Sequence, residues 1–286
     1  MKEWVPTNNR LLEDDGLASE NLAHRHYISA EAELWERECR GLVGMLYRTG
    51  AATVEYRYEP GDIIRREGQL GDGLYVVTEG VVKLTSSYAG TKRVILRLLG
   101  AWDTFGTLAI GTEACRQVCT EAMTACVVTK IPRVFVERAI RTRPEVTLKL
   151  ATLSELRLVQ YQELVECLLP RETEARLAKL LLILARKFGE DTWAGTIITQ
   201  PLSSKDLAQM VASTHKSVTS VLKELRRRQL LAITSGRIVM LKPEKLAEIT
   251  LRRPPVSDNA GEVSLGTTRC RYHPHQEKVD KAKLEV

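Results

Sequence analysis

Hydrophobic and polar positions change rhythm three times along the chain. Between about residues 41 and 145 the apolar runs are short: TVEYRY, DIIRRE, GLYVVTEGVVKLTSS, RVILRLL and ACVVTKI. Turn-forming stretches separate them, at Pro60-Gly61, Gly71-Asp72-Gly73 and Ala89-Gly90. Tyr75 with Val77, and Val82 with Leu84, follow the period of two expected of half-buried strands. This density of strands and turns predicts a barrel or roll. Residues 146–169 contain no Pro or Gly and predict one long helix. From residue 170 to 250 the helical period returns in shorter pieces. LSSKDLAQMVASTHKSVTSVLKEL, residues 202–225, reads as two helices broken after Val211. Ser203 and Asp206 have the spacing of a capping box, and Thr214 is placed to cap the second helix. Val218, Val221, Leu222 and Leu225 share one face of that helix, while His215, Lys216, Thr219, Ser220 and Lys223 fall largely elsewhere. LAIT and RIVML around Ser235-Gly236 predict a hairpin. Two helices with a three-residue break fit a helix-turn-helix, although a helical hairpin inside a core would share the pattern. The hairpin that follows gives the order of a winged helix.

Charge sharpens this picture. Residues 201–250 carry nine Lys/Arg against four acids, a net of +5, which suits contact with phosphates. Arg226 to Arg228 would equally serve as a solvated helix face. Residues 1–40 are acidic, with nine acids and five bases, and Ser29 to Arg40 is a candidate helix without an obvious packing partner. We therefore divide the chain into an acidic N-terminal extension (1–40), a strand-rich barrel or roll (41–145), a long helix (146–169), a winged helix-turn-helix (170–250) and a flexible basic tail (251–286). The 286 residues are 44% apolar and 27% charged, with a net charge of +6. This composition allows nucleic-acid binding without demanding it.

Several chemistries find no footing. The six cysteines, at 39, 115, 119, 126, 167 and 270, form no CxxC pair and read as reduced thiols in a cytoplasmic, nucleoid-associated protein. No apolar stretch of about 18 residues and no signal-peptide pattern occurs, so no membrane partner is expected. P-loop, GxGxxG, HExxH and nucleophile-elbow motifs are missing, and neither catalytic residues nor a metal site is expected.

The stretches YEPGDIIRREGQLGDGLYVVTEGVVKL, FGTLA, TACVVTKIP and ARLAKLLLILARKFG, taken with the helix-turn-helix segment, carry a family resemblance. The chain resembles bacterial transcription regulators of the cyclic-AMP receptor protein and fumarate-nitrate regulator superfamily over about residues 42–250. It looks most like the cyanobacterial global nitrogen regulator branch. The resemblance implies an α+β fold: an N-terminal cupin-like, cyclic-nucleotide-binding-like β-roll, a long dimerisation helix and a C-terminal winged helix-turn-helix. It also implies a homodimer acting on palindromic promoter DNA together with RNA polymerase. Leu150, Leu153, Gln160, Leu164 and Cys167, with Arg157, recur at coiled-coil spacing and are the expected dimer seam. A helix packed on its own sheet domain would show much the same residues.

The family's effector pocket maps onto Gly106, Thr107, Leu108, Arg116, Arg157 and Gln162. Thr107 stands where cyclic-nucleotide-binding relatives carry the ribose carboxylate, and Gln117 stands where they carry a serine, so cAMP is not the expected ligand. Arg116 and Arg157 match the two arginines of the nitrogen-regulator pattern, whose effector is 2-oxoglutarate. Two guanidiniums suit a small dicarboxylate. Gln162 replaces that pattern's glutamate, and constitutive binding without effector stays open. No haem or iron–sulfur cluster is expected: residues 41–145 hold no His, and Cys39 is the only cysteine before residue 115. For DNA, the positions that read bases in the family are His215, Lys216 and Ser220. Arg176, Ser203, Lys205, Thr214, Ser217 and Arg237 are candidates for phosphate contacts.

Overall fold

The computed structural model describes residues 17–88, 92–107 and 118–251, and side chains within 33–87, 93–106 and 118–251. Leu108 and Arg116, the side chain of Thr107, the first 16 residues and the tail from residue 252 lie outside that description.

A 32-residue helix, α1 (Leu17–Arg48), opens the described chain. It runs unbroken across residue 40, where the sequence suggested a domain boundary. Trp35, Cys39, Leu42, Val43 and Leu46 recur at helical spacing and are all buried. They pack against Val136 and Ala139 of α2 (Arg133–Thr142) and Val146 and Leu153 of α3 (Pro144–Leu168). A bond of 2.5 Å from Lys149 to Glu38 reinforces the α1–α3 contact. The missing partner of the 29–40 segment is therefore α3.

Eight strands form two antiparallel four-stranded sheets. The first has the order β1 (Val54–Tyr58), β8 (Cys126–Pro132), β3 (Gly73–Glu79), β6 (Thr104–Thr107). The second has the order β2 (Ile63–Arg65), β7 (Cys119–Ala122), β4 (Val82–Tyr88), β5 (Lys92–Leu99). Strand β3 shows the layering. Leu74 and Val76 face the helices, while Tyr75 and Val77 join Val82, Leu84, Leu99, Phe105 and Val128 between the sheets.

The expected cupin-like β-roll is corrected here: among the described residues no closed barrel is present, only two stacked sheets. Except between β4 and β5, consecutive strands lie in different sheets, so their ladders do not join into a ring. At the β3–β4 corner Gly80 takes φ +77°, and a Cβ there would collide with the Ala125 carbonyl. The corner is pinned by Met123 N–H donating to Val81 O at 2.8 Å. Strand and turn density was legible in the sequence, whereas closure depends on pairings that period-two alternation does not encode.

The C-terminal part contains α4 (Thr173–Phe188), β9 (Gly189–Thr192), β10 (Gly195–Ile198), α5 (Ser204–Met210), α6 (His215–Arg227), β11 (Leu231–Thr234), β12 (Arg237–Met240) and α7 (Pro243–Leu251). Its strands pair in the order β11-β12-β10-β9. Ser235 and Gly236 both have positive φ, 49° and 75°, as a tight hairpin of type I′ requires. Its core includes Leu177, Leu181, Leu207, Val218 and Leu225, and it is continuous with Val81, Ile95 and Leu98 of the sheet domain.

Candidate nucleic-acid interface and arginine-lined cavity

The helix-turn-helix is set by its caps. Ser203 Oγ accepts from Asp206 N–H at 3.1 Å, and Asp206 Oδ2 accepts from Ser203 N–H at 3.1 Å. Thr214 Oγ1 accepts from Ser217 N–H at 3.1 Å and so starts α6. Between the helices Ala212 adopts φ +50°. Buried Leu207, Met210, Val211, Val218, Leu222 and Leu225 hold the pair against the core.

This leaves His215, Lys216 and Ser220 on the exposed side of α6. Thr219 is turned inward on its own helix, donating to His215 O at 2.8 Å. Ser203, Lys205, Thr214 and Arg237 are exposed. Ser217 is half-buried and shares a hydrogen bond with Thr214. Arg176 lies partly buried at the start of α4. Its neighbour Thr173 bonds Ser213 of the turn at 3.1 Å, which ties α4 to the helix-turn-helix.

In the sheet domain a cavity is lined by Arg65, Arg66, Arg97 and Arg157, with Gln69, Thr104, Thr120 and Tyr161 among its other walls. No described lining residue is acidic. Arg157 donates to Thr104 O at 2.9 Å and to Thr104 Oγ1 at 3.0 Å. Arg97, only 9% exposed, donates to Gln160 Oε1 at 2.6 Å. Both guanidiniums lie over Trp35, at 5.6 Å for Arg97 and 5.4 Å for Arg157. Gly106, with φ +97°, also lines the cavity; a Cβ there would meet the Tyr75 ring at 2.9 Å. Gln162 is exposed and outside the lining.

Arg97 was missed by reading the sequence, although a signal was present. It shares the parity of Leu99, which is fully buried between the sheets, so a cation was placed where the strand pattern called for an apolar side chain. Arg65 and Arg66 carry no such signal, since they sit in a turn-flanked polar stretch.

Several residues of the expected seam have partners within the chain. Leu153 and Cys167 are buried within the chain, Leu150 packs beside Leu153, and Gln160 is taken by Arg97; Leu164 is half-buried. The apolar residues that α3 leaves exposed are Leu148, Leu158, Val159 and Val165, followed by Leu169 just past its end. Docking of α1 and α4 on the predicted face is the reason. The buried thiols are poor nucleophiles: burial, followed by the charge of Asp103, pushes Cys39 up to about 12, and burial pushes Cys167 up to about 11. Among the described residues no group of three or more His, Cys, Asp or Glu could hold a metal ion. Nor is any described helix long and apolar enough to cross a membrane.

Comparison with known proteins places this architecture. Residues 55–143 match the cyclic nucleotide-binding domain and residues 175–249 the Crp-like helix-turn-helix domain. The global nitrogen regulator of Synechococcus elongatus is 30% identical over 194 residues, 67% of this chain and 87% of that protein. The chain belongs to the cyclic-AMP receptor protein and fumarate-nitrate regulator superfamily. The CRP-like cAMP-activated global transcriptional regulator of Mycobacterium tuberculosis is 26% identical, covering 65% of this chain and 84% of its own length. Among solved structures, FixK2 from Bradyrhizobium japonicum matches in fold with a TM-score of 0.63, at 21% identity, covering 71% of this chain and all of that one. The fold is that of a DNA-binding transcription regulator, and members of this superfamily are regulators without catalytic activity. They typically form dimers and bind DNA and RNA polymerase.

Proposed function

We propose that this chain is a homodimeric, sequence-specific transcription regulator that reads palindromic promoter DNA through His215, Lys216 and Ser220 and works with RNA polymerase in the cytoplasm. The observation that carries the reading is α6 itself: capped by Thr214, anchored by Val218, Leu222 and Leu225, and exposing those three polar side chains along one edge. Lys216 donates to guanine acceptors, His215 to a base or phosphate, and Ser220 to either. Ser203, Lys205, Thr214, Ser217, Arg176 and Arg237 position the domain on the phosphates. The exposed stripe on α3 supplies the dimer contact, and a two-fold dimer reads half-sites related by the same two-fold axis. Genomic footprinting of the wild type beside a His215→Ala/Lys216→Ala variant tests this: a dyad motif enriched only by the wild type supports it, and no enrichment by either rejects it.

We further propose that the cavity takes a small dicarboxylate such as 2-oxoglutarate. Four arginines with no acidic lining residue among those described favour an anion, and no described carboxylate lines the wall to receive the hydroxyls of a ribose. Isothermal titration with 2-oxoglutarate and with cAMP, beside Arg157→Ala, separates the ligands. Heat from 2-oxoglutarate that vanishes in the variant supports the reading.

A further inference from the structure

The turn between β5 and β6 is clasped from both sides. On one side lies the cavity: Arg97 is three residues before Gly100, and Thr104, held by Arg157, directly follows Asp103. On the other lies the last turn of α4. Lys187 Nζ is 2.6 Å from Asp103 Oδ2 and donates to Leu98 O at 3.0 Å. The Phe188 ring sits so close to Gly100 that a Cβ there would approach it to 2.9 Å. The turn itself is stiff, with Gly100 N–H donating to Asp103 Oδ2 at 2.7 Å and Trp102 N–H to Val77 O at 2.7 Å.

Charge is crowded at this turn. Asp103 is almost fully buried, and its Oδ1 has no hydrogen-bond partner among the described residues. Burial pulls the Lys187 pKa down, the Asp103 carboxylate opposes that, and the neighbouring Arg97 adds to the lowering. Arg97 and Lys187 therefore repel each other beside one buried carboxylate. An anion in the cavity would offset Arg97 and Arg157 and leave Asp103 to Lys187. At its other end α4 is bonded to the helix-turn-helix through Thr173 and Ser213, so a change of its tilt reaches α6.

We propose that the Asp103–Lys187 ion pair is the contact through which the cavity sets the orientation of the DNA-binding part, an anion in the cavity tightening it. The inference rests on the dicarboxylate reading for its ligand, but its contact is testable without one.

The test uses the full-length protein, its footprinted DNA site and 2-oxoglutarate as probe. Lys187→Met keeps the aliphatic stem and removes the charge. Asp103 is then free to turn to the arginines, so 2-oxoglutarate affinity is expected to fall by about tenfold although Lys187 lines no part of the cavity. The effect of 2-oxoglutarate on DNA affinity is expected to shrink to below about twofold. Adding Asp103→Asn removes the competing carboxylate; ligand affinity should recover to within about threefold while DNA binding stays unresponsive. A Lys187→Met protein with wild-type ligand affinity and wild-type response overturns the proposal, as does a double variant that regains the response. A wild type that ignores 2-oxoglutarate rejects the dicarboxylate reading alone. The ion pair is then judged on ligand-free DNA affinity, which Lys187→Met must shift by at least about fivefold, and an unchanged value overturns it.

Discussion

At the scale of single residues, the helix-turn-helix separates side chains that build it from side chains that it leaves exposed. Ser203 builds: its hydroxyl satisfies the Asp206 amide at the start of α5. Ser203→Ala is expected to lower stability by about 1 kcal/mol, measured by urea unfolding. As a candidate phosphate contact, Ser203 would also weaken DNA binding, so the two measurements are made side by side. Under the proposed function Lys216 reads: it is exposed on α6. Lys216→Ala should leave the melting temperature unchanged. It should weaken binding to the specific site by about 1–3 kcal/mol and relax the preference at one base pair. A uniform loss across all sequences would make Lys216 a phosphate contact instead. The caps and the exposed face of α6 were both legible in the sequence, because helix caps act over three residues and the exposed face is the complement of the apolar face. Arg97 shows the limit: the parity of a strand marks it as inward, but only the tertiary structure shows that it faces a cavity shared with Arg157.

At the scale of elements, α3 packs one apolar face within the chain and leaves other apolar residues exposed. Its period announces an apolar face, and the sequence alone does not say whether that face meets its own chain or a second copy. In the structure α1 takes it, through Leu42, Leu46 and Leu153. The stripe left open includes Leu158, 59% exposed, and Val165, 58% exposed. Leu158→Glu is expected to shift the mass seen by light scattering toward the monomer, since a carboxylate in an apolar seam loses hydration without a partner. Leu153→Glu should instead unfold the sheet domain, and a folded monomer from that variant would return the seam to the buried face. The α1–α3 contact also carries a pH signature. A hydrogen bond from Lys149 holds the Glu38 carboxyl below its ordinary value of 4.5, against the opposing effect of burial. A depressed carboxylate pKa contributes stability that is present above 4.5 and lost as pH falls through the folded value. Glu38→Gln should flatten the stability profile below about pH 5, in melting curves recorded across that range. A profile parallel to the wild type would mean that the pair contributes nothing to α1 docking.

At the scale of the whole molecule, a single hydrophobic core crosses from the sheet domain into the DNA-binding part. Ile95 and Leu98 of β5 lie in one cluster with Leu177, Leu181 and Leu207 of α4 and α5. Domains linked by a flexible hinge would bury separate cores and melt separately. Here the cost of opening the boundary includes the exposure of Ile95, which is fully buried. Ile95→Ala is therefore expected to destabilise the protein by about 2–5 kcal/mol, the range for truncating a buried aliphatic side chain. It should also lower the melting of both parts together rather than of the sheet domain alone. Calorimetry at constant protein concentration, which holds any effect of association fixed, decides between these outcomes. One transition that moves as a unit supports the shared core. Two transitions, with only the first displaced, would show that β5 serves the sheet domain alone and that α4 can swing free of it.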